Sequence, residues 1–437
     1  MSELYKVLHP FTAMPVKEEL NVDSMENKYP IMQEKVQDEY VTSLDQSFHN
    51  FSNAALSLVN NNHPDFLNVI MEQYRRLPSS LLIGQGHDQA QILAEKLVKL
   101  HPNMEMVFYS NDGSGSIETA MKLVRQYFLQ VGKYQKKKFL SLTGAYHGVS
   151  YGALSMTGLD MESLYGPMLE GCLSVKSPHD FELESKEEND LASLQQLREV
   201  IDKEGAENIG ALFIEPIQGV NGIQQFSVSY LQSLRRITKE HDILLVLDEV
   251  TTGIGRIGDW FADIKHSIGA DLVATSKGLT AGLFPLGVTL ISKEIAQTFV
   301  GNDYGFPHGN TLGGHPVACA IAVRVIEYVE NQNLLDRVER DGDKVRRFLA
   351  SSLKSNPNVK EIKGEGFMIG IEVKEAPDLY VSQLLKEFKK GGILVSFFNT
   401  TICIYLPLDM DYSTIELALQ KLILIINQTS LEGQVHA

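Results

Sequence analysis

Residues Ile243–Gly258 read ILLVLDEVTTGIGRIG. Apolar residues run without alternation from Ile243 to Leu247, and the run ends in Asp248 before a Gly-rich turn. A short stretch that is apolar at every position suits a strand covered on both faces. The same texture recurs in MVFYS (106–110), KFLSL (138–142), ALFIEP (211–216), LVATS (272–276) and GVTLIS (287–292). Between these runs lie segments of helical period. Ile117, Ala120, Met121, Val124, Phe128 and Val131, for example, fall on one apolar stripe. The alternation predicts an α/β fold with a doubly wound, mainly parallel sheet.

Beyond about residue 325 the texture changes. A helix-like stretch is followed by EIKGEGFMIGIEVK, GGILVSF and TICIYLP, which predict a smaller α+β domain with a hairpin-type sheet. The expected organisation is an amino-terminal segment over 1–55 packing with the small domain, a large domain over 56–325, and the small domain over 326–437. The length of 437 residues suits such a pair. Asp plus Glu exceed Lys plus Arg by 55 to 39, a net charge of −16 that repels phosphate backbones and argues against a nucleic-acid partner. Cys172, Cys319 and Cys403 form no CxxC pair, and no apolar run approaches a membrane span, so a cytoplasmic protein without a membrane partner is expected.

Three features could carry chemistry. SNDGSGSIETAMK (110–122) follows a strand-like run and opens an amphipathic helix. Small residues at a helix start let free N–H groups and the positive dipole end approach an anion, with Gly113 and Ser114 best placed to donate. Asp248 stands at the carboxyl edge of a central strand, where open α/β sheets bind ligands and where a buried carboxylate requires a positive partner. Lys277 reaches the same edge one crossover later, and a buried lysine loses its proton easily. Taken singly, a helix-capping turn, a capping Asp and a snorkelling Lys would be ordinary. Together and in this order they suit pyridoxal 5′-phosphate: the amine for its aldehyde, the carboxylate for its ring nitrogen, the helix start for its phosphate.

Along roughly residues 100–375 the chain resembles the class III pyridoxal phosphate aminotransferases, of fold type I. The resemblance is carried by FYSNDGSGSIETAMKLVRQY, AYHG, FIEPIQGVNG, LLVLDEVTTGIGRIG, ATSKGLTAG, HGNTLGGHPVACA and GEGFMIGIE, with LHPFTAM (8–14) as a further echo. It implies that Lys277 and Asp248 are catalytic and that Gly113, Ser114, Tyr146, Glu215, Val250 and Thr311 join them around the cofactor. Tyr146 would stack on the ring, Val250 would pack on its other face, Glu215 would bond or gate a substrate group, and Thr311 would reach a phosphate across a homodimer interface. The implied reaction is ping-pong transfer from an amine or ω-amino acid donor to a keto acid or aldehyde acceptor. A racemase, epimerase or aminomutase of the same fold is the alternative.

Departures from the family pattern bear on substrate. Asp112 stands where a Ser is commoner, and would have to turn away and cap the helix. Ser396 stands where diaminopelargonate and ω-amino acid enzymes often carry a carboxylate-binding arginine. Trp260 is the only tryptophan, where the diaminopelargonate group tends to have a pair at its entrance. GIGRIG (253–258) fits GxGxxG, but it does not directly follow a strand as a dinucleotide fingerprint requires. His308, His315 and the lysines of 133–139 have neither ligand spacing nor aromatic interleaving and are read as structural, while His147, beside Tyr146, is equally a turn histidine held by backbone and a site residue.

Overall fold

The computed structural model describes Pro10 and residues 35–37, 40–43, 46–301, 305–374 and 378–429. LHPFTAM, apart from Pro10, lies outside the described residues. The large sheet comprises β1 (Met104–Ser110), β2 (Lys138–Leu142), β3 (Cys172–Val175), β4 (Ile209–Ile214), β5 (Leu244–Asp248), β6 (Leu272–Thr275) and β7 (Gly287–Ser292). Their order is β1-β7-β6-β5-β4-β2-β3. Only β7 runs against its neighbours; the pairings among β2 to β6 are all parallel. This is the mainly parallel, doubly wound sheet that the apolar runs predict.

The pleat explains those runs. Leu245 and Leu247 join Leu212, Ile214 and Val273 in the apolar core on one face. Leu244 and Val246 join Ala211, Phe213 and Ala274 on the other, where helix α1 (Gly113–Gln130) adds Ile117, Val124 and Phe128. Since successive side chains alternate between faces, a strand clad on both sides is apolar throughout. Asp248 continues the Leu244–Val246 row, and Glu215 continues the Ala211–Phe213 row, so both acids leave the sheet on the face covered by α1. The edge strand β3 did not stand out in sequence because it is short and mostly half-exposed.

The carboxy-terminal sheet has the order Val359–Glu365, Met368–Val373, Thr401–Tyr405, Ser396–Phe398, all antiparallel. GGILVSF, read as one strand, is two: Ile393–Leu394 pairs with Gln46–Asn50, and Ser396–Phe398 pairs back on Thr401–Tyr405. The boundary expected at 325 falls inside helix Pro316–Asn331. The chain after residue 46 is zipped to the carboxy-terminal region: Tyr405 N–H donates to Phe51 O at 3.1 Å, and Leu408 N–H to Leu58 O at 2.8 Å. Among the described residues no helix is long and apolar enough to cross a membrane.

GIGRIG serves as a clamp rather than a nucleotide loop. Arg256 is fully buried, and its guanidinium donates to the carbonyls of Ala54, Leu406 and Phe367. Its own carbonyl accepts Phe367 N–H at 3.0 Å. One side chain thereby fastens the amino-terminal segment and the small sheet to the turn that follows Asp248. The turn is filled: a Cβ on Gly366 would stand 2.5 Å from Ile257 Cα. Replacing Arg256 with Met leaves buried carbonyls without donors and should destabilise the protein by about 3 kcal/mol. Thermal unfolding checks this, and an unchanged melting temperature would remove the clamp from the account.

Candidate active site

Parallel pairing of β5 and β6 places Asp248 opposite Ala274. Three residues further along each chain come Thr251 and Lys277, and the register brings them side by side. Lys277 Nζ donates to Thr251 Oγ1 at 2.7 Å. Lys277 opens the short turn Lys277–Thr280 with φ +26°, a conformation L-residues rarely hold. Ser276, just before it, is anchored by donating to Leu286 O at 2.7 Å.

The carboxylate of Asp248 has two partners. Oδ1 accepts Val250 N–H at 3.0 Å, and Oδ2 lies 2.9 Å from His147 Nδ1. His147 is 2% exposed and packs edge-on against Phe213 of β4, while its Nε2 has no hydrogen-bond partner. The turn carrying it is held by Thr157, whose Oγ1 accepts His147 N–H at 3.0 Å and donates to Gly148 O at 2.8 Å. Glu118, from α1, holds the next stretch by accepting Ser150 Oγ at 2.6 Å and Gly152 N–H at 3.0 Å. Tyr146 is tied through its backbone: its N–H donates to Glu215 Oε1 at 2.9 Å, and Glu215 Oε2 accepts Gly219 N–H at 3.1 Å.

The start of α1 completes the enclosure. Asp112 turns its carboxylate onto Gly115 N–H at 2.7 Å, capping the helix as its position demands. Gly113 and Ser114, whose first-turn N–H groups have no carbonyl to bond within the helix, line the cavity. Gly113 admits no larger residue without displacing Val250, because a Cβ there would lie 3.0 Å from both Val250 methyls. Gly148, at φ +119°, would place a Cβ 2.2 Å from Ser114 Oγ.

These groups surround one cavity of about 380 Å³, lined by Gly113, Ser114, Tyr146, His147, Glu215, Asp248, Val250, Thr251 and Lys277 among others. Burial pushes the Lys277 amine below the ordinary lysine range, against the opposing pull of Asp248 and Glu215. Burial and then the Asp248 charge push the Glu215 carboxyl up. Burial, Glu215 and Asp248 together raise the Tyr146 phenol. The cavity thus offers an amine that loses its proton readily, a fixed carboxylate for a positively charged nitrogen, and a helix start for an anion.

Seven of the eight residues singled out in the sequence converge here. Thr311 does not: it lines a second cavity, of about 640 Å³, with Leu82, Ile83, Tyr109 and His308. Three contributions had no assigned role in the sequence. Sequence alone does not decide between turn and site for His147, and Thr251 and Thr157 carry no signal, since their partners depend on sheet register and on a turn that spacing does not reveal.

Comparison with known proteins agrees with this geometry. A family model described as aminotransferase class-III matches residues 24–426. Over 422 residues the chain is 29% identical to adenosylmethionine-8-amino-7-oxononanoate aminotransferase of Staphylococcus aureus, covering 93% of this chain and 92% of that one. It is 33% identical over 346 residues to acetylornithine aminotransferase of Aquifex aeolicus, 79% of this chain and 82% of that one. Among solved structures, an amine transaminase from an uncultivated Pseudomonas species in its PLP-bound form superposes with TM-score 0.91 at 27% identity, covering 98% and 99% of the two chains. An (S)-enantioselective omega-transaminase from Thermomicrobium roseum gives 0.88 at 28% identity, over 96% and 95%. The chain therefore belongs to the class III aminotransferases, pyridoxal phosphate-dependent enzymes of fold type I that move an amino group from a donor to a carbonyl acceptor.

Proposed function

We propose that the cavity beside Lys277 holds pyridoxal phosphate and that the enzyme takes its amino group from a primary amine whose nitrogen is distant from any α-carboxylate, passing it to a keto acid or aldehyde. The observation that carries this reading is the convergence of Lys277, the His147-held Asp248 and the start of α1 on one cavity. The fit to the cofactor rests on three features of the chain. Asp248 is a nearly buried acid that opens onto the cavity, Gly113 and Gly148 leave the helix start bare of side chains, and the half-buried Tyr146 and Val250 offer flat and apolar surfaces.

When bound, the cofactor supplies an aldehyde that condenses with amines and a protonated ring that accepts electron density from the carbon losing its proton. The residues of the chain do the rest. Asp248 would face the ring nitrogen, and His147 holds that carboxylate in place. Gly113 and Ser114 would donate to the phosphate, and Tyr146 and Val250 would cover the ring. Lys277 Nζ takes the proton from the amine-bearing carbon of the donor and returns it as the transfer proceeds. Its lowered affinity for protons suits both directions.

The walls support the substrate class. Leu56, Val220, Phe284 and Leu286 are apolar, and the groups on the described lining that can carry positive charge are Lys277 and His147, the latter engaged by Asp248. Ser396, where relatives often have an arginine, is bonded to Ser52 at 2.6 Å. The amine and omega-transaminase structures that superpose on the chain fit the same reading. A homodimer is proposed as well. Thr311 stands apart from Lys277 within one chain, beside the exposed Ile83 and Leu312, where a second copy could place it against the neighbouring site.

Lys277→Ala should abolish turnover. Asp248→Asn should lower kcat by about a hundredfold or more, as loss of a charge that stabilises the transition state does; steady-state rates check both, and near-normal turnover in either variant would refute the assignment. In single-turnover mixing, the absorbance of the bound cofactor should fall faster with amines and ω-amino acids than with α-amino acids. The reverse order would place the donor in another class. Thr311→Ala should weaken pyridoxal phosphate binding about tenfold, the effect of one charge-assisted hydrogen bond, in an equilibrium titration of the dimer. Unchanged affinity would detach Thr311 from the site.

A further inference from the structure

We propose that Thr251 is a positioning residue for the reaction: its hydroxyl oxygen takes one N–H of the Lys277 amine whenever that amine is free, leaving the nitrogen lone pair toward the cavity. The inference rests on the role proposed above for Lys277 and adds the group that steers it. The contact is direct, Lys277 Nζ donating to Thr251 Oγ1 at 2.7 Å, and Thr251 lines the same cavity.

The geometry follows from the backbone. Thr251 stands three residues beyond Asp248 and Lys277 three beyond Ala274, and those two are register partners in the parallel pair β5–β6. The hydroxyl stands on a short side chain in the turn that follows β5, while the amine sits at the end of four rotatable methylenes. A neutral amine has one lone pair and must aim it at the donor carbon to take a proton. One N–H captured by that acceptor restricts the rotation that would point the lone pair elsewhere, and misorientation of a reacting group is costly in rate. Lys277 opens its turn at φ +26°, so the backbone beneath the amine is set by the surrounding fold.

The other groups that face this amine act differently. Asp248 and Glu215 favour its charged form from the ends of β5 and β4, and Arg256 disfavours it from the clamp turn. His147 and Tyr146 also line the cavity, but His147 is bonded to Asp248. Thr251 supplies the neutral contact, which acts on direction as well as on charge. As an acceptor it also stabilises the ammonium, so its loss should make the amine easier to deprotonate.

The test uses the full-length wild-type protein and T251S, which keep the hydroxyl, and T251V and T251A, which remove it with different shapes. Cofactor-free protein is mixed with pyridoxal phosphate across a pH series, and growth of the bound-cofactor absorbance reports capture by the neutral amine. In T251V and T251A the midpoint of that profile should move down by about one pH unit, while T251S keeps the wild-type midpoint. With an amine donor, kcat should fall about tenfold in T251V, with KM within about twofold, and the rate penalty for deuterium on the amine-bearing carbon should grow. Capture would thus become easier in acid while turnover becomes slower, a combination that general damage to the site does not produce. An unmoved midpoint in both T251V and T251A overturns the inference, as does a loss of kcat that T251S does not restore. Weaker cofactor binding at an unmoved midpoint would also overturn it by assigning the hydroxyl to the cofactor. Failure of the absorbance to develop even in the wild-type protein would instead refute the cofactor reading on which the inference stands, and would overturn both.

Discussion

A carboxylate at the end of a strand that is buried on both faces must be satisfied where it stands, and Asp248 is that carboxylate. It is 6% exposed, and leaving it charged without partners would cost about 3–5 kcal/mol, a large share of the stability of an ordinary protein. Its partners, the Val250 N–H and the His147 ring, therefore constrain the turns that supply them. Holding His147 requires Thr157 behind its backbone, and the same turn delivers Tyr146 to the cavity with its N–H on Glu215. Around this one buried acid, Tyr146, Glu215 and the start of α1 come together as neighbours.

The second constraint is sheet register. Parallel pairing sets Asp248 against Ala274, which fixes where the chain after each strand can place a side chain. Lys277 and Thr251 come together for this reason, and α1 begins close by because β1 pairs with β7 next to β6. The Arg256 clamp then joins the amino-terminal segment and the small sheet to the same turn, so that the wall of the cavity near Leu56 and the strand end after Asp248 are parts of one packed unit.

The sheet was legible in the sequence because burial on both faces forces continuous apolar runs, and five of the runs coincide with central or inner strands within two residues. β3 was not, being four residues long with three of them short of full burial. The division of GGILVSF also escaped, because its first two residues of strand pair with a segment more than three hundred residues earlier, and pairing partners leave no mark on local pattern. At the site, Lys277, Asp248, Gly113 and Ser114 could be argued from chemistry, as each is an unusual residue type at a strand end or helix start. Tyr146, Glu215 and Val250 came through family resemblance. Thr251 and Thr157 are common residues whose meaning lies only in what they touch, 26 and 10 residues away. The dinucleotide-like GIGRIG shows the converse: the turn holds a buried arginine bonded to three backbone carbonyls and is crossed closely by Gly366.

Everything proposed for the site requires that the amine of Lys277 be the group that joins the cofactor. It is tested most directly by incubating the protein with pyridoxal phosphate, reducing it with borohydride, and locating the modified peptide by mass spectrometry. A single stable adduct on Lys277 is expected. Stoichiometric modification of another lysine, with Lys277 unmodified, would contradict it.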